Sequence, residues 1–168
     1  FAGEQITEKD TRHCVNSLSI RFKAYSQLKK ATFGAGCFWS VEKLFRATEG
    51  VYLTQVGYMG GATDMPTYKQ VCSGTTNHAE VVDLYFDPEK ISYPELLTIF
   101  WKNHNPTTLN RQGADSGTQY RSVVFYYNQQ QQKQAEQLKT VEQVYFENEI
   151  VTQIVSSEKF FRAEEYHQ

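Results

Sequence analysis

Lys30-Ala-Thr-Phe-Gly-Ala-Gly-Cys37-Phe-Trp-Ser-Val-Glu-Lys-Leu-Phe45 joins a short apolar run to an amphipathic one through two glycines. Residues 31–34 read as a strand. Gly34 and Gly36 allow a tight backbone turn, and the spacing of Val41, Leu44 and Phe45 predicts a helix that begins near Phe38. Cys37 then stands at the positive end of that helix, where the macrodipole and unbonded amides favour a thiolate over a thiol. A free cysteine is also commonly a small buried hydrophobe, so spacing alone leaves both readings open.

Working outward, 51–58 reads as a strand that ends at Gly60-Gly61, and a short helix is expected around 66–72. The alternation over 79–86 is a further strand, closed by Asp87-Pro88. Ser92 and Glu95 have capping-box spacing ahead of Leu96, Leu97, Phe100 and Trp101, which predicts a helix to about residue 103. A long glycine-bearing loop over 107–120 leads to a strand at 121–127. Residues 129–148 read as a long, exposed helix, 150–155 as a last strand, and the chain beyond Lys159 as a tail. Residues 1–30 are polar and mixed, an arm or extension to one domain over 31–168. Strands and helices alternate irregularly with no glycine-rich phosphate fingerprint, so the expected class is α+β, a mixed central sheet with helices packed on it.

Composition narrows the function. A chain of 168 residues, 40% hydrophobic and 14% aromatic, suits one core. A net charge of -2 gives no reason to expect nucleic acid or an anionic membrane as partner, and small or peptide substrates fit better. Three cysteines, Cys14, Cys37 and Cys72, form a sparse odd set, which argues for a reducing, cytoplasmic setting and against a secreted disulfide framework. No apolar run approaches the roughly 20 residues that span a bilayer. The first residue is Phe1, so a removed targeting segment stays open.

Two further clusters carry chemistry. In Gly74-Thr-Thr-Asn-His78-Ala-Glu80, a loop runs straight into a strand whose period of two puts Glu80 on one face with Val82 and Leu84. A carboxyl on that apolar face is expected to have a raised pKa and to donate a proton near neutrality, whereas an exposed strand-end glutamate would not. His78-x-Glu80 also opens a zinc-deaminase signature, but no later cysteine pair completes it, so no metal is expected. The loop Asn110-Arg-Gln-Gly-Ala-Asp115-Ser-Gly-Thr-Gln-Tyr120-Arg121-Ser122 supplies a carboxylate and a phenol and is long enough to be functional; a plain surface Ω-loop is the other reading. With Tyr68 it offers hydroxyls to a polar substrate atom.

From Lys30 to Gln168 the chain resembles the methionine sulfoxide reductase A family, the peptide-methionine (S)-S-oxide reductases. Gly-Cys-Phe-Trp, Tyr-x-x-Val-Cys-Ser-Gly-x-Thr-x-His-Ala-Glu, Gln-Gly-x-Asp-x-Gly-Thr-Gln-Tyr-Arg-Ser and Glu-x-Tyr-His-Gln occur in family order. The resemblance implies a two-layer α/β sandwich with a mixed sheet. It implies that Cys37 attacks the sulfoxide sulfur and is left as a sulfenic acid, with Phe38 and Trp39 walling the substrate methyl group. It implies that Glu80 protonates the sulfoxide oxygen, aided by Tyr68 and Tyr120, and that Asp115 organises that polar site. It implies no cofactor, thioredoxin as the usual reductant, and methionine sulfoxide in proteins or peptides as substrate; a monomer is expected. Asn77 stands where the family often has glycine, a mild change because asparagine tolerates positive φ, and Asn105 stands where it often has aspartate.

Many relatives carry recycling cysteines in a C-terminal tail, and Cys72 matches a non-catalytic family position. Cys14 in the arm, or direct reduction by an external thiol, remain alternative ways to restore Cys37. Two other chemistries compete with the reductase. One is a hydrolase in which His78 or His104 activates Cys37. The other is a glutaredoxin-like module built on Cys37-Phe-Trp-Ser40, which would need a proline facing the thiol, and Pro66 and Pro106 lie in loops.

Overall fold

A computed structural model describes residues 27–168, with elements in the order β1 (Lys29–Ala35), α1 (Phe38–Arg46), β2 (Val51–Met59), α2 (Tyr68–Cys72), β3 (Ala79–Phe86) and α3 (Tyr93–Lys102). These are followed by β4 (Arg111–Gln112), β5 (Asp115–Ser116), β6 (Ser122–Tyr126), α4 (Gln129–Glu142), β7 (Gln153–Ser156) and β8 (Phe161–Arg162). Six strands form one sheet in the order β7-β6-β1-β3-β2-β8, while β4 and β5 make a separate small hairpin. The β6–β7 pair is parallel and the others are antiparallel, so the sheet is mixed as the sequence predicted. The expected arm, 1–26 of it, and Cys14 lie outside the described residues.

The quoted stretch folds as read. β1 runs through the middle of the sheet, with Phe33 opposite Val82 on one side and Val124 on the other. Phe33 is fully buried, and its ring stacks on Phe45 at 5.1 Å and on Phe100 at 5.3 Å, which ties β1 to α1 and α3. The main core is the layer between this sheet face and the helices, where Val56, Val82, Leu84 and Val124 meet Phe38, Val41, Leu96, Leu97 and Ala135. The opposite face carries a smaller cluster of Met59, Ala79, Val81, Val123 and Phe125, with Phe160 packed against it. That face also holds a polar knot: Thr32 Oγ1 donates to Asp83 at 2.6 Å, Tyr127 donates to Asp83 at 3.0 Å, and Lys30 pairs with it at 3.0 Å.

Ser92 and Glu95 form the predicted capping box, which satisfies orphan amides at the start of α3. Thr67 and Gln70 form a second one at α2. Three expectations are corrected. The helix expected over 129–148 stops at Glu142, because the Gln143 side chain donates to the carbonyls of Phe146 and Asn148 and accepts from the Ile150 amide, folding the chain back. The last strand begins at Gln153, since Ile150 is buried in the core and the Val151 amide donates to Pro106 outside the sheet. The expected tail instead docks on the sheet edge, where β8 pairs with Gly57 and Tyr58, and the Gln168 side chain both accepts from and donates to the Val56 backbone. Two paired residues are too short a run to show strand periodicity.

Candidate active site

Cys37 is the N-cap residue of α1, delivered there by two glycines for which no side chain fits. A Cβ on Gly34 would lie 2.9 Å from the Glu80 carbonyl oxygen, so the bare backbone lets β1 and β3 close up beside the thiol. Gly36 has φ +92°, and a Cβ there would sit 2.7 Å from Gln112 of the small hairpin. The hairpin therefore rests directly on the turn that presents Cys37.

The electrostatics differ from the sequence expectation. The amides of Trp39 and Ser40 do stabilise a thiolate at Cys37, but partial burial outweighs them, and the charges of Glu80 and Asp115 add to it. The net effect pushes the Cys37 thiol above its ordinary value. The first amide of the helix is not available to it, because Phe38 N–H donates to Glu80 Oε2 at 3.1 Å.

Glu80 is 1% exposed, on the same strand face as Val82 and Leu84. Burial raises its pKa to about 7; the Phe38 amide opposes this and the nearby Asp115 charge adds to it. Of the two readings that spacing left open, this is the buried carboxyl on the apolar face and not the exposed strand-end glutamate. Asp115 is exposed on β5, where it lines a groove with Cys37. Tyr120, half-buried on the turn 118–120, is pushed upward by burial first and then by Glu80, Cys72 and Asp115. Tyr68 opens α2; the Cys72 thiol one turn later is the largest influence raising its phenol, with Tyr120 and Glu80 contributing. The two phenols, the two carboxyls and Cys37 thus share one electrostatic neighbourhood.

The aromatic wall is more extensive than expected. Phe38 is buried and Trp39 is 51% exposed, their rings 6.2 Å apart. The docked C-terminal segment completes the wall. His167 is buried, with its ring 4.6 Å from Tyr68 and 5.3 Å from Phe38, and its carbonyl accepts from the Trp39 indole at 3.0 Å. Glu164 accepts from the Tyr68 amide at 2.7 Å and from the Tyr58 hydroxyl at 2.9 Å, anchoring α2 to the sheet edge. Tyr58, Glu164 and His167 were not singled out in the sequence; Glu-x-Tyr-His-Gln was the available signal.

Neither histidine proposed for a hydrolase is free to serve Cys37. The Gly61 amide donates to His78 Nδ1 at 3.1 Å, which leaves Nε2 to donate to the Thr63 carbonyl at 2.8 Å. His104 lies between the Phe100 carbonyl and the Ser122 hydroxyl, each at 2.7 Å, and burial lowers its pKa to about 4. Asn77 has φ +57°, the left-handed geometry that its glycine counterpart would adopt readily.

A helix-start cysteine beside a proton-retaining carboxyl, with both histidines occupied, marks a thiol-dependent oxidoreductase on a mixed-sheet α+β scaffold. Residues 29–168 match the peptide methionine sulfoxide reductase family. The MsrA of Methanothermobacter thermautotrophicus is 53% identical over 145 residues, 85% of this chain and 86% of that protein. The MsrA of Methanosarcina acetivorans is 53% identical over 170 residues, 99% of this chain and 89% of that protein. Among solved structures, reduced Mxr1 from Saccharomyces cerevisiae superposes with a TM-score of 0.82 at 38% identity, covering 85% of this chain and 83% of Mxr1. Mxr1 in complex with Trx2 superposes with a TM-score of 0.64 at 25% identity, covering 89% of each chain. The chain belongs to the peptide methionine sulfoxide reductase family, and it is an oxidoreductase that returns methionine sulfoxide to methionine. Among the described residues, no helix is long and apolar enough to cross a membrane.

Proposed function

We propose that Cys37 is the nucleophile and Glu80 the proton donor in reduction of the S epimer of methionine sulfoxide in peptides and proteins. The observation that carries this is Glu80 itself, a carboxyl with a pKa near 7, buried and hydrogen-bonded to the amide of the residue after Cys37. A sulfoxide oxygen is a poor leaving group until protonated, and an acid that keeps its proton near neutrality meets that need. Cys37 sulfur attacks the sulfoxide sulfur while Glu80 protonates the oxygen, with Tyr68 and Tyr120 donating to it. The hydroxyl then passes from the substrate sulfur to the Cys37 sulfur: the sulfur–oxygen bond and the transient sulfur–sulfur bond both break, the substrate leaves as the thioether, and Cys37 holds the oxygen as a sulfenic acid. The substrate sulfur gains the two electrons that the cysteine sulfur loses. Two external thiol equivalents then release water and restore Cys37.

Phe38 and Trp39 hold the S-methyl group, and Asp115 orients the polar side of the site. The complex of the similar Mxr1 with Trx2 supports thioredoxin as the physiological reductant. A reducing, cytoplasmic setting is proposed from the sparse, odd set of three cysteines in the sequence. The test supplies separated S and R epimers of a methionine sulfoxide peptide with dithiothreitol. Turnover of S alone is expected, and turnover of neither or of R alone overturns the reading. Substrate without reductant, followed by mass mapping of the cysteines, shows whether Cys14, which lies outside the described residues, captures the sulfenic acid. A free Cys14 beside oxidised Cys37 excludes it.

A further inference from the structure

Helical spacing divides α1 into two flanks at the reactive thiol. Trp39, Glu42 and Arg46 lie toward β2, where the Glu42 carboxylate accepts from Thr54 and the Trp39 indole donates to the docked C-terminal segment. Cys37, Ser40, Leu44 and Ala47 lie on the other flank, bordering a groove of about 680 Å³ between α1, the end of α3 and the small hairpin. Its apolar surface is formed by Val41, Leu44, Ala47 and Phe100, and its polar edges include Lys43, Asn103 and Asp115. The catalytic partners Glu80, Tyr68 and Tyr120 do not line it. The groove is thus continuous with the thiol yet distinct from the methyl-binding wall.

We propose that this groove is a substrate subsite that receives an apolar side chain of the polypeptide carrying the methionine sulfoxide, close in sequence to the oxidised residue. The proposal rests on Cys37 as nucleophile, since that fixes where the sulfoxide sits. From Cys37 to Leu44 is two helical turns, about 10 Å along the axis, which an extended peptide covers in about three residues. A chain whose sulfoxide sulfur meets Cys37 therefore brings a residue about three positions away over Leu44, with its side chain reaching on toward Ala47. The volume falls within the range of sites that enclose small ligands, ample for one leucine-sized side chain. The concave, apolar form suits an inserted side chain better than the surface of a folded reductant. Repaired methionines would then be selected by their sequence surroundings, although the chemistry engages only the sulfoxide.

The test compares N-acetyl-methionine sulfoxide methylamide, which cannot reach the groove, with heptapeptides that place either Leu or Asp two and three residues on both sides of the sulfoxide. All are assayed with dithiothreitol. The Leu peptide is expected to have about tenfold higher kcat/KM than the Asp peptide, carried by KM, the scale set by burying one apolar side chain. Ala47→Glu, at an exposed position, and Leu44→Asp are expected to abolish that preference while turnover of the methylamide stays at the wild-type level. If Leu44→Asp also loses the methylamide activity, helix α1 has been disturbed, and Ala47→Glu decides. Equal wild-type rates on the two peptides, or a preference that survives Ala47→Glu, overturn the proposal. A rise in KM for thioredoxin in Ala47→Glu, with peptide preference intact, assigns the groove to the reductant and overturns it too. Failure of the wild type on the methylamide as well as both peptides would count against the catalytic reading itself.

Discussion

At the scale of single residues, burial favours the protonated form of both Cys37 and Glu80. Burial raises the Cys37 thiol and burial raises Glu80, and ionising either makes the other harder to ionise. The resting thiol is therefore expected to alkylate slowly with iodoacetamide at pH 7 and faster as pH rises past the ordinary cysteine range; a rate already at its plateau at pH 7 would contradict this. Glu80→Gln is expected to lower kcat about 100-fold, the scale of a lost general acid, while the Phe38 amide keeps an acceptor. The same substitution carries a stability prediction with a defined sign. A carboxyl raised from 4.5 to about 7 stabilises the fold fully below pH 4.5, and this is lost as pH climbs through 7. Urea melts should show Glu80→Gln gaining up to ~3 kcal/mol relative to wild type between pH 5 and pH 8. Glu80 was legible because strand alternation alone put it with Val82 and Leu84. The state of Cys37 was not: the sequence displays its helix start, but the partial burial that raises the thiol, and the charges of Glu80 and Asp115 that add to it, come from packing against distant elements.

At the scale of elements, the segment 161–168 acts as a strap. Its Glu164 fastens Tyr68 through the backbone, Tyr58 through the hydroxyl, and so adds to the hold that buried Val71 gives α2, a helix of one turn. Glu164→Ala leaves both donors without that acceptor and should destabilise the protein by about 1–3 kcal/mol. It should also raise KM for a sulfoxide peptide several-fold, with the alkylation rate of Cys37 unchanged. Glu164→Gln, which keeps an acceptor for the Tyr68 amide, should recover much of the affinity; equal KM values for Glu164→Ala and wild type would show that the strap does not position the site. Long periodic elements were readable directly: α1, α3 with its Ser92–Glu95 box, and β3 all appear where the pattern put them. The strap was not, because it is held by side chains such as Gln168 and Glu164 and by a two-residue ladder. The early end of α4 likewise depends on Gln143, whose amide can reach three backbone groups only after the chain has turned.

At the scale of the whole molecule, the two faces of the sheet divide their labour. One face packs the helices and presents Glu80; the other is closed by the smaller apolar cluster and the Asp83 knot. Asp83→Ala should lower stability by about 2–4 kcal/mol, because Thr32, Tyr127 and Lys30 lose a shared buried partner. Its kcat should match wild type, as Asp83 points away from Cys37; a fall in kcat at a temperature where the variant stays folded would contradict that. The mixed sheet was legible in outline from irregular alternation of strand and helix, but the strand order was not, since no local pattern says that β1 lies between β3 and β6. That central placement has a kinetic consequence. β1 leads through Gly36 to Cys37, yet it can pair only after chain from far downstream has looped back on both sides, and closing such loops is slow. Recovery of turnover after dilution from urea should then follow the same single rate as recovery of the buried-tryptophan signal, with no early active species.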